Sequence, residues 1–494
     1  MGSEIELKLL ITTEQTTNIE LFFQTLEQCQ TIKPKWLANQ YFDTPDLQLR
    51  RWDMGLRIRR AENFSEQTIK TAGTVVGGLH TRPEYNVEIE TEIPVLQLFS
   101  ENIWPSDCVM SHTQSQLVCI FETNFNRQTW IIDFQGSQIE AALDIGDITS
   151  ELSGVSRTEP ICELELELLS GDSGVLVALA TQIARTIPVR LGKSSKAKRG
   201  YQLAGKSPVT HLSPLSFIPI SQSCSSQQAI INFLETGLER WQLLEAMIKD
   251  CINDRQACAQ LWFRLRSCIR LIKLSLSQIQ PLTSVLSKTF SQLEKQLAFI
   301  DLARALLDVK QHQYEFTHFV EHGTLIEFVD KKLDDINFAT ELNALLALPI
   351  YGQIQLITLA TLFDSHSNNN MLALPLLAAN MQNQTWSKII QHMPANTKMS
   401  VEEYQQLSPL LEEAILVGLS YGELYAQKPR DKFRAPWLDL ARGIALLDGY
   451  QILKKYAHDL NLSTYDWLED KQSTLITAME HTRTKALKSK AYWT

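Results

Sequence analysis

The stretch EIELKL at residues 4–9 sets Glu4, Glu6 and Lys8 two positions apart. In an extended strand alternate side chains share a face, so two carboxylates and an ammonium line one side while Ile5, Leu7 and Leu9 line the other. The same rule groups Arg57 with Arg59, Thr68 with Lys70, Arg82 with Glu84, and Glu163 with Glu165 and Glu167. Their opposite faces are mostly apolar, as with Leu56 and Ile58 or Leu164 and Leu166. Like charges repeated on one strand repel unless something compensates them. A solvated sheet face laced with salt bridges is one solution. The other is an inside-out barrel whose lumen carries the charge, with carboxylates for divalent cations and arginine and lysine for polyphosphate oxygens. No Ser-His-Asp or Cys-His arrangement is evident and no GxxxxGK[ST] loop occurs, so phosphate capture falls to side chains.

Several elements must position these groups. Up to about residue 200, short alternating runs such as GLRIRR, YNVEIETEI, WIIDFQGSQIEAAL and CELELELLSGD are punctuated by Gly, Asn, Asp and Pro, which predicts antiparallel β structure. Segments 13–30 and 172–186 read as helices able to cover an outer face. Residues 203–222 carry Pro208, Pro214 and Pro219 among serines and threonines and read as a linker or extended strap. Beyond residue 223 apolar residues recur at helical spacing over long windows. The expected organisation is α+β and multidomain: a β domain over 1–204, a linker over 205–222 and an all-α bundle over 223–494.

Composition narrows the function. With 494 residues the chain exceeds one ordinary core, and 44% hydrophobic with 21% charged residues is globular usage. The net charge of −10 argues against general nucleic-acid binding. The first 200 residues hold 18 basic against 27 acidic side chains and the remainder 28 against 29, so the acidic excess lies where cations would be needed. The 8 cysteines are scattered without a CxxC pair and read as buried free thiols of a reducing compartment. The charged N-terminus is not a signal peptide. The apolar run ALLALPIYGQIQLITLATLF is broken by Pro349, Gly352, Gln353 and Gln355, which argues against a membrane span, and a cytoplasmic protein is expected.

The motifs resemble a known family. EIELKL is similar to the ExExK signature of the CYTH superfamily, the triphosphate tunnel metalloenzymes, and YFDTPD at 41–46, MGLRIRR at 54–60, TIK at 68–70 and GGLHTRPEYNVE at 77–88 follow in the family's order. ALDIG at 142–146, PICELELELLSGD at 160–172 and SKAKRGYQL at 195–203 complete the set. The second half resembles a CHAD domain, a helical module attached to bacterial CYTH domains. The resemblance implies an eight-stranded antiparallel tunnel, a triphosphate substrate and Mg2+ or Mn2+, with two ions. It assigns metal binding to Glu4, Glu6, Glu84, Asp144, Glu163 and Glu165, and phosphate contacts to Lys8, Arg57, Arg59, Lys70, Arg82, Arg127 and Lys196. Glu88 and Glu167 are further carboxylates whose contact with metal is left open.

The expected activity is metal-dependent inorganic triphosphatase, converting tripolyphosphate to pyrophosphate and phosphate in a monomer or homodimer. The same fold also serves nucleotide- or thiamine-triphosphate-directed enzymes, including class IV adenylate cyclases, and a non-catalytic polyphosphate-binding module is the alternative from another class. Asp144, close before Gly146, suits a turn; Tyr41 and Tyr85 suit packing; His80 suits an exposed loop; Lys193 and Lys198 suit an entrance field; and Arg199 suits fold or site. In the helical half Arg266, Arg270 and Lys273 share a helix face, but Ala259 stands where the CHAD family carries a histidine, so a scaffold or dimer-forming role is expected ahead of polyphosphate binding.

Overall fold

The computed structural model of the chain describes residues 2–62, 64–208, 211–279, 281–363, 371–394 and 397–494. It divides into two compact units, Met1–His211 with Leu346–Asp364, and Leu212–Leu345 with Ser365–Thr494.

The first unit is built on β1 (Gly2–Leu10), β2 (Cys29–Asp43), β3 (Gly55–Ala61), β4 (Phe64–Lys70), β5 (Thr74–Val76), β6 (Leu79–Glu88), β7 (Val118–Phe134), β8 (Ser137–Leu152), β9 (Val155–Ser170) and β10 (Arg190–Leu191). Eight of these strands close into an antiparallel ring in the order β1, β9, β8, β7, β2, β3, β4, β6, because β6 also pairs with β1 over Gly2–Leu7. The short β5 and β10 are additions on β6 and β1. Closure removes the exposed edges that an open sheet would present.

Alternation decides what each face meets. Leu7, Leu9, Leu164 and Leu166 point outward and are fully buried, because helix α4 (Gly174–Ile183) packs on β1 and β9. The helices of this region are α1 (Thr16–Gln24), α2 (Gln48–Arg51), α3 (Met110–Ser115), α4 (Gly174–Ile183) and α5 (Lys196–Leu203). On α1, Phe23 stacks on Trp130 of β7 at 4.5 Å between ring centroids. Leu56, Ile58 and Ile69 gather with Phe42, Leu49, Leu96 and Phe99 in a second outer cluster. Each such side chain taken from water contributes about 1.5–3 kcal/mol, so a barrel with a charged interior is held together from outside. Helix α5 packs on β7, β8 and β9, with Tyr201 against Phe121 and Tyr41 stacked on Phe121. Gly200 lies so close to the Phe121 ring that a Cβ there would overlap it.

Three local expectations are corrected. The helix sought over 13–30 runs only over Thr16–Gln24 after a single 3-10 turn, and β2 has already begun at Cys29. The first part of β2 holds Pro34, Lys33 and Lys35 and an irregularity between Ile32 and Lys35, which erases the alternation that would mark a strand. His80 is not in an exposed loop but within β6 and buried, opposite Glu6 of β1. The cysteines are all free, yet only Cys258 and Cys268 are buried.

The second unit is helical: α6 (Ser226–Asp250), α7 (Arg255–Ile279), α8 (Ser284–Gln296), α9 (Phe299–Gln311), α10 (His322–Asp335), α11 (Phe338–Leu346), then after α12 (Pro349–Phe363), which belongs to the first unit, α13 (Leu374–Gln391), α14 (Val401–Tyr421), α15 (Gln427–Asp459) and α16 (Thr464–Leu487). Capping boxes at Ser225 with Gln228 and at Ser400 with Glu403 set the starts of α6 and α14. One core gathers Trp386, Phe433, Trp437 and Trp493 with Tyr404 and Leu407. The proline-bearing stretch is a strap on this unit. Arg264 donates to Ser213 O at 2.6 Å, Ile218 N donates to Leu419 O at 3.0 Å, and Phe217 is covered by the Arg430 and Arg434 guanidinium groups. Residues 209 and 210 of the linker lie outside the described residues.

No single described helix is long and apolar enough to cross a membrane; the bent pair His322–Leu346 and Pro349–Phe363 meets that test only when joined.

Candidate active site

The charged faces of the ring converge on one cavity of about 560 Å³. Its wall includes Glu4, Glu6, Lys8, Arg57, Arg59, Lys70, Arg82, Glu84, Arg127, Glu165 and Lys196. Cross-strand register explains the grouping. Lys8 stands opposite Glu165 and Glu6 opposite Glu167; Asp144 on β8 faces Arg127 on one side and Glu163 on the other; Glu84 faces Lys70.

At one end of the cavity lies a buried cluster of three carboxylates, Asp144, Glu163 and Glu165, with ligand oxygens within 4.8 Å of one another. Three basic groups sit on them. Arg127 makes a two-pronged contact to Asp144, at 2.7 and 2.6 Å, and donates to Glu165 at 2.7 Å. Lys196 reaches Asp144 at 2.6 Å and Glu165 at 3.0 Å and also bonds Glu163. Lys8 reaches Glu163 at 3.2 Å, bonds Glu165 and lies 3.9 Å from Glu6. Arg199 adds a contact to Glu163 at 3.3 Å while bonding Glu159 at 2.8 Å, so it serves both the fold and the rim of this cluster. Burial opposes charge on Glu165, but Lys196, Lys8 and Arg127 outweigh it and hold the carboxyl well below the usual range. Burial likewise opposes charge on Lys8, and Glu163, Glu165 and Glu6 nevertheless raise its ammonium well above the ordinary lysine value.

A second group surrounds Lys70, which bonds Glu4 and lies 2.9 Å from Glu84. Arg57 approaches Glu84 at 3.4 Å. Here the two carboxyls diverge. Burial, reinforced by Glu6 and Glu84 against the pull of Lys70, raises Glu4 to about 8. Glu84 meets the same burial, but Lys70 and Arg57 bring it down to about 2. Burial with Glu140 and Glu6 raises Glu167 to about 7. Burial and the neighbouring Arg57 and Arg127 lower Arg59 to about 10, and its Nε donates to Asn39 at 2.9 Å. The Nε atoms of Arg57 and Arg82 are buried without a hydrogen-bond partner among the described residues, which leaves donors in the wall for an anion.

The six carboxylates and seven basic residues that the family resemblance assigned to metal and phosphate therefore lie in or beside one cavity, with Asp144 and Glu163 buried just behind its wall. Asp144 is mid-strand, not in a turn. Glu167 lines the cavity, whereas Glu88 is exposed at the end of β6, opposite Glu66. Tyr41 lines the cavity as well as packing. Asn39, Glu66, Asn86, Glu140 and Ser195 escaped the sequence reading. Glu140 was within reach, since it shares parity with Asp144 along β8; Asn39 was not, since β2 carries no legible alternation there.

In the helical unit Arg266 and Arg270 of the basic face are already engaged. Arg266 donates to Asp301 at 2.5 Å, and Arg270 makes a paired contact to Glu294 at 2.8 Å on both prongs and bonds Glu412.

Residues 2–201 match the CYTH domain family. Over 210 residues the chain is 39% identical to an inorganic triphosphatase of Haemophilus influenzae, an alignment covering 42% of this chain and 56% of the relative, so the chain spans little more than half the length of the curated protein it matches. Among solved structures, it is similar to a candidate adenylyl cyclase of Hippeastrum described as having a dominant triphosphatase activity, at 17% identity over 42% of this chain and 98% of that one, TM-score 0.29. A candidate adenylate cyclase of Bacillus halodurans is similar at 22% identity over 44% and 97% of the two chains, TM-score 0.24.

Proposed function

We propose that the first unit hydrolyses inorganic tripolyphosphate to pyrophosphate and phosphate with the help of divalent cations. The observation that carries this reading is the sharing of Asp144, Glu163 and Glu165 by Lys8, Lys196 and Arg127 inside a closed barrel. Each partner has a natural alternative: carboxylate oxygens suit a hard cation, and the basic groups suit phosphate oxygens. The donor set is all oxygen, which fits Mg2+ or Mn2+ and not a thiolate-seeking metal; the family resemblance implies two such ions. Asp144, Glu163 and Glu165, with Glu4 and Glu6 on the neighbouring strand β1, would hold them. When bound, the cations neutralise phosphate charge and acidify the attacking water.

The chain's own side chains do the rest. Lys8, Arg127 and Lys196 bind and orient the phosphate chain at one end of the cavity, and Arg57, Arg59, Lys70 and Arg82 bind it along the wall. Their fixed charge stabilises the charge that develops on the bridging oxygen and on the departing pyrophosphate. These groups are positioned by strands, and Lys196 by the first turn of α5, so little reorganisation accompanies the reaction. Glu84, held ionised by Lys70 and Arg57, keeps Lys70 directed into the cavity. The helical half is read as a CHAD-type module acting as scaffold, since Arg266 and Arg270 are occupied by its own carboxylates.

The test is phosphate release from tripolyphosphate, ATP and thiamine triphosphate in parallel, with Mg2+, with Mn2+ and with chelator. Turnover of tripolyphosphate far above the other two, lost on chelation, is the expected result. Preference for ATP or thiamine triphosphate would move the assignment to that substrate, and turnover of none would favour a binding module.

A further inference from the structure

The apolar run at 344–363 is interrupted by Gly352, Gln353 and Gln355, and the structure shows what the interruptions do. All three sit on α12 where it meets the segment leading to β10. Gly352 lies so close to Val189 O that a Cβ would overlap that oxygen. Gln353 Nε2 donates to Ala184 O at 2.7 Å. Gln355, fully buried, accepts from Leu191 N at 2.9 Å through its Oε1. Its own Nε2 has no partner among the described residues, a cost that a leucine of similar volume would not carry.

The segment so held reaches the site directly. Leu191 pairs with Leu9 of β1, and Gly192 N donates to Lys8 O at 2.9 Å. Gly192 O faces His80 Nε2 at 3.4 Å, and a Cβ on Gly192 would stand 2.9 Å from Lys8 Cγ. Three residues further on, Ser195 caps α5 by accepting from Lys198 N, and Lys196 enters the cavity. One short stretch, 189–196, therefore fixes the backbone of Lys8 and delivers Lys196, the two ammonium groups that share Glu163 and Glu165.

We infer that Gln355 is a positioning residue for the barrel's chemistry: by clamping Leu191 from outside, α12 sets the two lysines on their shared carboxylates. The inference rests on the triphosphatase reading for its catalytic consequence, but not for its structural one. Displacements on the order of 1 Å at such a site cost up to roughly 100-fold in rate.

The test uses the full chain with Gln355→Leu, which keeps the volume and removes the acceptor, Gly352→Ala, and Thr358→Val as a control on the same helix. The Thr358 hydroxyl is spent inside the helix on Ile354 O. Circular dichroism and thermal unfolding first establish the folded fraction. The expected result is that Gln355→Leu and Gly352→Ala lower kcat per folded molecule by roughly 10-fold or more at saturating tripolyphosphate and Mg2+, with Thr358→Val unchanged. Independently of turnover, hydrogen exchange across 189–196 should quicken and calorimetric affinity for tripolyphosphate should fall. A wild-type chain inactive on every triphosphate would defeat the triphosphatase reading, leaving exchange and affinity to decide the clamp. Unchanged kcat per folded molecule, exchange and affinity in both variants would overturn the inference; so would lower stability with kcat per folded molecule intact, which is the mark of a purely structural contact.

Discussion

Lys8 near the start of the barrel sequence and Lys196 near its end place their ammonium groups on the same two carboxylates, Glu163 and Glu165. Neither lysine could ionise comfortably at such depth alone, and both, with Arg127, hold Glu165 charged against its burial. Lys8, Lys196 and Arg127 face three acids, and Arg199 adds a contact to Glu163 at 3.3 Å, so a change to any member disturbs charge as well as shape.

Lys8→Met tests that balance. Removing one partner of a buried pair costs about 3–5 kcal/mol, so the melting temperature should fall. Millimolar Mg2+ should restore part of it, because a divalent cation replaces the missing positive charge among Asp144, Glu163 and Glu165. Thermal unfolding of wild type and variant with and without Mg2+ checks this; an equal Mg2+ effect on both would refute it.

Glu165→Gln keeps the shape of the side chain while removing its charge. Turnover of tripolyphosphate should drop by more than the roughly 100-fold that loss of an outer partner of a metal ligand costs, with the fold retained by circular dichroism. Activity near wild type would exclude Glu165 from the cation site.

Gly200→Ala acts through the packing of α5 on Phe121, which shares a face of β7 with Arg127. The new methyl overlaps the Phe121 ring, so α5 must shift and carry Lys196 with it. Overpacking of this kind costs about 1–3 kcal/mol, and kcat should fall roughly 10-fold where KM alone would rise if only binding suffered. Steady-state kinetics on the folded fraction separates the two.

Glu480 gives a prediction in the helical unit. Burial opposes its charge, but Arg483, Met399 N at 3.0 Å and Tyr404 Oη at 2.7 Å lower its carboxyl below the usual value. A folded-state value below the unfolded one means stabilisation that is present above the unfolded value of about 4.3 and lost as pH falls through the folded one. Glu480→Gln should therefore cost about 1–2 kcal/mol at pH 7 and progressively less on acidification below about pH 4. Unfolding curves at pH 7, 5 and 3.5 check the slope.

The amino-acid sequence determined the faces of the barrel. With a period of two, Glu4, Glu6 and Lys8 could only share a side opposite Leu7 and Leu9, and Glu163 and Glu165 a side opposite Leu164 and Leu166, whatever the strands later paired with. It did not determine register. Only pairing sets Lys8 against Glu165 and Asp144 against Glu163, since which residues stand opposite is fixed between strands and not along one. Closure through β1 and β6 also belongs to the tertiary structure, and it is what turns His80 from an apparent loop residue into a buried neighbour of Gly192. Most of all, tertiary contact decided the meaning of Gly352, Gln353 and Gln355. Within the sequence they are flaws in an apolar helix, because a polar side chain shows its purpose only when its partner, some 160 residues away in the case of Leu191, is brought against it.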